Sequence, residues 1–159
     1  GGAAAAVGVS PPALTRRSVA SLWAALDITE PADELSWFRL WVERVEPTLT
    51  APTIVYGYPA WQAALAQERH GRADRFEVYL SGIEIGNCFA EEGDSRVLKQ
   101  RFETSAAKRR AMDRTPHPED SLLLESTARM PRSAGMAVGL DRLVMALTGA
   151  TDIEDVQVR

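Results

Sequence analysis

Glu77, Tyr79, Glu84 and Glu91 fall within one short stretch, Arg75 to Asp94, which reads RFEVYLSGIEIGNCFAEEGD. Ser81-Gly82 is a two-residue turn signal between runs rich in Val, Ile, Tyr and Leu, which predicts a β-hairpin. With those residues as the loop, Leu80 stands opposite Ile83, Tyr79 opposite Glu84, Val78 opposite Ile85 and Glu77 opposite Gly86. Side chains alternate along a strand. Glu77, Tyr79 and Glu84 therefore share one face, and Phe76, Val78, Leu80, Ile83 and Ile85 share the other. Like charges on adjoining positions of a strand pair weaken the sheet unless something compensates. A divalent cation bridged by phosphates is a natural compensator, because Mg²⁺ is usually held by one or two carboxylates plus substrate oxygens. A solvated outer face of an antiparallel sheet is the plainer reading, and the pattern alone favours it. Glu91 lies seven residues beyond Glu84, on the opposite face of a regular strand. One pocket for both needs a bulge or bend between them, expected at Gly86.

The elements around this hairpin follow from breakers and periodicity. Residues 1–17 form a Gly/Ala-rich lead closing near Pro11-Pro12, expected to be flexible. Ser18 can cap a short helix to Leu26, with Val19, Leu22, Trp23 and Leu26 on one stripe. Pro31 and Asp33 open a longer helix to about Glu46, whose Leu35, Phe38, Trp41, Val42 and Val45 recur at helical spacing as a core stripe. Thr53 to Tyr58 reads as a strand between prolines, and Pro59 opens a helix over Ala60 to Gln67. Asp94 or Ser95 caps a helix from Arg96 to about Met112, the most basic part of the chain, read as a solvated surface. His117 sits alone in a Pro-flanked loop with no second ligand at metal-site spacing. A helix from about Glu119 to Ala128 follows.

Composition narrows the classes. A chain of 159 residues with 45% apolar and 25% charged residues suits one soluble globular domain. Its net charge of -4 argues against a generally basic nucleic-acid binder. The single cysteine, Cys88, excludes an internal disulfide and a cysteine-based zinc site, and suits a reducing, cytoplasmic setting. No apolar run approaches the ~20 residues of a membrane helix, so no membrane contact is expected. The chain does not begin with Met, as expected of a processed product or a piece of something longer.

Ala134 to Gly149, AGMAVGLDRLVMALTG, is the second chemical motif. Gly135, Ala137 and Gly139 alternate, leaving one strand face nearly bare, where a flat ligand can lie close to the backbone. The strand runs into a helix whose first turn carries Asp141 and Arg142. An arginine there can stack on a base or reach a phosphate; equally, the glycines can serve tight packing while Arg142 pairs with an acid.

Taken together, these segments resemble the catalytic domain of class II lysyl-tRNA synthetases and the related lysine ligases that modify elongation factor P. GMAVGLDRLVMALTG resembles motif 3 of that class, with Arg142 as its arginine. FEVYLSGIEIGNCFAEEGD resembles the segment that holds ATP-bound magnesium and lysine. ERVEPTL, PTIVYGYPAWQAAL and HPEDSLLLES extend the likeness, from about Ser18 to the end. The resemblance implies an α+β fold, an antiparallel β-sheet flanked by helices, here incomplete: residues 18–159 would be the C-terminal half of the catalytic domain, without motifs 1 and 2.

By position, the resemblance makes Glu77 and Glu84 the metal and ATP carboxylates. Gly139 and Arg142 complete the ATP site, and Arg142 and Glu84 are the catalytic pair. Gly86, Asn87, Phe89 and Glu91 line a pocket for lysine or an analogue, with Glu91 facing its side-chain ammonium. The implied reaction is attack of the lysine carboxylate on the α-phosphate of ATP, followed by transfer to elongation factor P or tRNA. Gly86 is typical of the tRNA synthetases, whereas ERVEP and the lack of an anticodon-binding domain favour the factor-P branch. Cys88 stands where the family usually has Gly. A second chain supplying motifs 1 and 2 is an implied partner, and the piece alone is expected to be weak or inactive. The rival reading is a non-catalytic paralogue that binds ATP or lysine as a regulatory or partner module.

Overall fold

The computed structural model describes residues 13–157. Most of the expected lead lies outside that range, but its last residues are ordered, since Thr15–Ser18 forms β1. Ser18 caps α1 (Val19–Ala25) by accepting from the Ser21 N–H at 3.1 Å. Asp33 caps α2 (Glu34–Leu40) in the same way through Ser36. Beyond Leu40 the helix widens into a π turn, Trp41–Val45, and tightens into a 3₁₀ turn, Glu46–Thr48, at Pro47. The remaining strands are β2 (Thr53–Tyr56), β3 (Glu68–Arg69), β4 (Arg72–Ala73), β5 (Arg75–Leu80), β6 (Ile83–Ala90) and β7 (Ala134–Val138). The remaining helices are α3 (Ser95–Ala111), α4 (Ser121–Thr127) and α5 (Leu140–Thr148).

Five strands form one sheet in the order β1-β2-β5-β6-β7. The sheet is mixed rather than antiparallel as expected, because β1 and β2 run parallel. Parallel neighbours need a crossover of a dozen or more residues, usually helical, and α1 and α2 supply it. The expected hairpin is present: Ser81 and Gly82 join β5 to β6 with φ of 52° and 79°. Two consecutive positive φ values define the type I′ turn that matches strand twist.

The chain divides into two compact units. The first holds the residues up to Gly57, Phe76–Asn87 and those from Ala137 onward. Its core is an indole cluster: Trp37 stacks on Trp41 at 4.6 Å between centroids, and both meet Trp23 edge-on at 5.7 Å. The α2 stripe differs from expectation. Trp37, Trp41 and Val45 are buried, whereas Leu35, Phe38 and Val42 are exposed. The bulky indoles bury more apolar area than leucine or valine at these positions, so they decide which side of the helix faces in.

The β2–β5 register sets Val55 against Glu77 and Thr53 against Tyr79. Thr53, Val55 and Tyr79 are buried, while Phe76 and Val78 on the other face are only half-buried. The glutamate-bearing face of β5 is therefore turned to the core at Tyr79, with Glu77 half-buried beside it, rather than solvated along its length as the plainer reading had it. Tyr79, buried and hydrogen-bonded to the Trp41 indole, draws that face inward.

The second unit comprises Tyr58–Arg75 and Cys88–Met136. The helix expected over Ala60 to Gln67 is only a 3₁₀ turn, Ala60–Gln62. Ala64 takes a left-handed φ of 50° and ends it. A short hairpin follows, β3 against β4, turning at His70-Gly71. Asp94 caps α3 through the Arg96 N–H, and Asp120 caps α4 through Leu123.

Candidate active site

In the first unit, Tyr79 and Glu77 are two residues apart on β5 and face the same way, as strand alternation requires. The Tyr79 hydroxyl donates to Glu77 Oε2 at 2.8 Å. It accepts from the Trp41 Nε1–H at 3.3 Å, and lies 3.5 Å from Glu46 Oε1. Burial, and then repulsion from Glu77, holds the Glu46 carboxyl above its usual range, and Glu84 adds to the effect. The charges of Glu77 and Glu84 thus both bear on Glu46. Burial and the Glu77 charge likewise push the Tyr79 phenol up, so it stays a neutral donor.

Arg142, in the first turn of α5, donates from Nη1 to Glu84 Oε2 at 2.9 Å and to the Glu84 carbonyl at 3.2 Å. Its side chain is half exposed and that of Glu84 is about a quarter exposed, at 52% and 27%. The Gly139 N–H bonds the Ile85 carbonyl at 2.9 Å. The start of α5 is therefore tied to β6 at Glu84 and Ile85. A Cβ at Gly139 would come no nearer than 3.6 Å to the Arg142 side chain, an ordinary contact, so that arginine does not itself require glycine here.

In the second unit, Glu91 follows the end of β6 and forms a β-bridge with Ala66. Its N–H donates to the Ser133 carbonyl at 3.0 Å, and its carbonyl accepts from Gln67 Nε2 at 3.0 Å. A Cβ built at Gly135 would sit 2.8 Å from Glu91 Oε1. The bare strand face read in the sequence thus has a concrete use: it leaves room for the glutamate carboxylate. The Arg75 guanidinium lies over Tyr58 at 4.7 Å and over Phe89 at 5.2 Å. Burial, and then the Glu91 charge, raises the Cys88 thiol, which disfavours its thiolate.

Glu77, Glu84, Gly86, Asn87, Gly139 and Arg142 belong to the first unit, and Phe89 and Glu91 to the second. Glu84 and Arg142 are brought into contact, and Tyr79 connects to Glu77. β6 is one continuous strand from Ile83 to Ala90, so the break expected at Gly86 is absent and the chain leaves the strand after Ala90. Sequence reasoning missed Glu46 and Arg75. Glu46 carried a signal, because an acid at the C-terminal end of a helix opposes the dipole and calls for another reason to be there. Arg75 opens β5 with nothing in its spacing to mark it.

An acidic hairpin face joined to an arginine at the start of a helix belongs to a known class. The profile of the class II tRNA synthetases (D, K and N) matches residues 21–158, and the chain belongs to that family. Within it, the chain is 47% identical over 123 residues to the elongation factor P–(R)-β-lysine ligase of Erwinia tasmaniensis, covering 74% of this chain and 38% of that protein. It is 48% identical over 118 residues to the enzyme of the same name from Enterobacter sp. strain 638, covering 70% of this chain and 36% of that protein. The chain spans little more than a third of the length of these relatives. Among the described residues, no helix is long and apolar enough to cross a membrane.

Proposed function

We propose that this chain carries the ATP- and lysine-facing residues of a site that activates lysine, or a lysine analogue such as (R)-β-lysine, for transfer to elongation factor P. The joined Glu84–Arg142 pair carries the reading. The expected metal carboxylate and the expected phosphate-binding arginine neutralise each other at 2.9 Å. A magnesium-bound polyphosphate brings both opposite charges at once, so each side chain can exchange its partner without being left unpaired.

The residues fit magnesium held in the manner of a nucleotide site. Among the described residues no three His, Cys, Asp or Glu form a metal cluster. Glu77 and Glu84 are two carboxylates of one unit, near enough to perturb Glu46 together. That suits an ion completed by phosphate oxygens and water rather than a protein cage. Bound ATP would supply the α-phosphoryl group that the lysine carboxylate attacks, with pyrophosphate leaving. The chain's own residues do the positioning. Glu91 receives the side-chain ammonium with Phe89 near it in the chain, and Arg142 reaches the base or phosphates. Catalysis of this type rests on orientation and charge neutralisation.

Transfer to elongation factor P is favoured over tRNA by the names of the two relatives. A site without motifs 1 and 2 lacks the arginine that grips the α-phosphate, and losing one transition-state contact costs ~100-fold or more. The chain alone is therefore expected to turn over weakly, with a second chain or further segment supplying those motifs. Its single thiol suits the cytoplasm. Lysine-dependent exchange of labelled pyrophosphate into ATP tests the reading. Exchange lost in Glu91→Gln supports it, and exchange with full rate in that variant overturns it. Binding without exchange would instead favour the regulatory-module reading.

A further inference from the structure

We propose that Tyr79 is a positioning residue for Glu77, oriented for that task by the Trp41 indole. The inference rests on the reading of Glu77 as a carboxylate of the magnesium–ATP site.

The Tyr79 side chain is buried, at 1% exposure. A phenylalanine would fill the same space, so the hydroxyl needs its own account. Its oxygen accepts from Trp41 Nε1–H at 3.3 Å, which fixes one side of the group. It has one proton to give and two carboxylates in reach, Glu77 Oε2 at 2.8 Å and Glu46 Oε1 at 3.5 Å. A contact of 3.5 Å is at the limit of a hydrogen bond, whereas 2.8 Å is the length of a strong one to a charged acceptor. The proton therefore goes to Glu77. The donor chain runs from Trp41 to Tyr79 to Glu77, and Glu46 stands beside it as the losing acceptor. Supporting hydrogen bonds of this kind set the orientation of groups that meet a metal, and their loss typically costs 10- to 100-fold in affinity. A strand alone fixes only the side to which Glu77 points. The hydroxyl fixes where its carboxylate rests.

Calorimetric titration of the whole chain with ATP, once with magnesium and once with EDTA, tests this on the parent, Tyr79→Phe and Glu77→Gln. Tyr79→Phe is expected to reduce the magnesium-dependent gain in ATP affinity about tenfold while leaving metal-free ATP affinity unchanged. Glu77→Gln should reduce it at least as far. A hydroxyl that only stabilised the fold would weaken both titrations alike. If Tyr79→Phe matches the parent while Glu77→Gln loses the gain, the inference is wrong and the reading of Glu77 stands. If Glu77→Gln also matches the parent, or the parent binds no magnesium–ATP, both fall. Should Tyr79→Phe fail to fold, Trp41→Phe removes the supporting N–H and keeps an aromatic ring. It should show a smaller loss confined to the magnesium titration, and an unchanged gain would overturn the proposal.

Discussion

Gly135→Ala adds a single carbon beside the carboxylate proposed to select lysine. The added Cβ would lie 2.8 Å from Glu91 Oε1, against about 3.4 Å for ordinary contact, so the carboxylate must withdraw by about 0.6 Å. The neighbouring atom is the end of a flexible side chain, so relief by rotation costs the fold little. β7 is exposed along its length, and alanine is intrinsically better than glycine in a strand by ~0.5–1 kcal/mol. The thermal midpoint should therefore hold or rise slightly. The site should suffer more, because a misplacement of ~1 Å at a positioning contact can cost ~100-fold. For the smaller shift here, lysine affinity is expected to fall about tenfold, close to ~1.4 kcal/mol. ATP affinity should not change. Lysine and ATP are titrated separately into Gly135→Ala and the parent, with a melting curve for each. Unchanged lysine affinity in a folded Gly135→Ala protein would refute the reasoning, because the carboxylate would then not be working from the position seen here.

Other predictions follow from single contacts. Gly82 has φ of 79°, so Gly82→Ala should destabilise the chain by ~1 kcal/mol, read from the denaturation midpoint. Asp94 is held at about pKa 2, chiefly by its side-chain bond to Arg96 and then by the Arg96 N–H. Its folded value is depressed from 3.8, so its contribution is present above pH 3.8 and is lost as pH falls through about 2. Asp94→Ala should accordingly lower the midpoint at neutral pH, with the gap closing in acid. Glu46 is the opposite case, since its folded pKa is raised above 4.5, by burial first. Its protonated form suits the fold, so stability is lost as pH rises through the folded value. Glu46→Gln should raise the melting midpoint at pH 7, and that advantage should shrink towards pH 4.5.

Local chemistry was the legible part of this sequence. Ser18, Asp33 and Asp94 all cap helices, because a short oxygen-bearing side chain before a helical run has one efficient use. Ser81-Gly82 was readable for a similar reason, as the tight hairpin turn demands residues that tolerate positive φ. What tertiary packing decides was not legible. The α2 stripe counted leucine and valine as equals of tryptophan, and the indoles took the core. The β5 faces were assigned by polarity, yet a tyrosine with a partnered hydroxyl and a half-buried glutamate went inward, because a satisfied polar group can be buried at little cost. The sheet was expected to be antiparallel because pairing direction is set by crossovers, which residue patterns do not reveal. At the site, alternation put Glu77, Tyr79 and Glu84 on one face, and Arg142 emerged from the second motif. Glu46 and the Trp41 indole come from a distant helix end, and no local pattern connects them to the hairpin.

The most direct test of the account is calorimetric titration of lysine into the whole chain with magnesium and a non-hydrolysable ATP analogue present, for the parent and Glu91→Gln. The account predicts saturable binding to the parent that is lost, or weakened at least tenfold, in Glu91→Gln, with the analogue's own affinity the same in both. Lysine bound equally by the two proteins, or by neither, would contradict it.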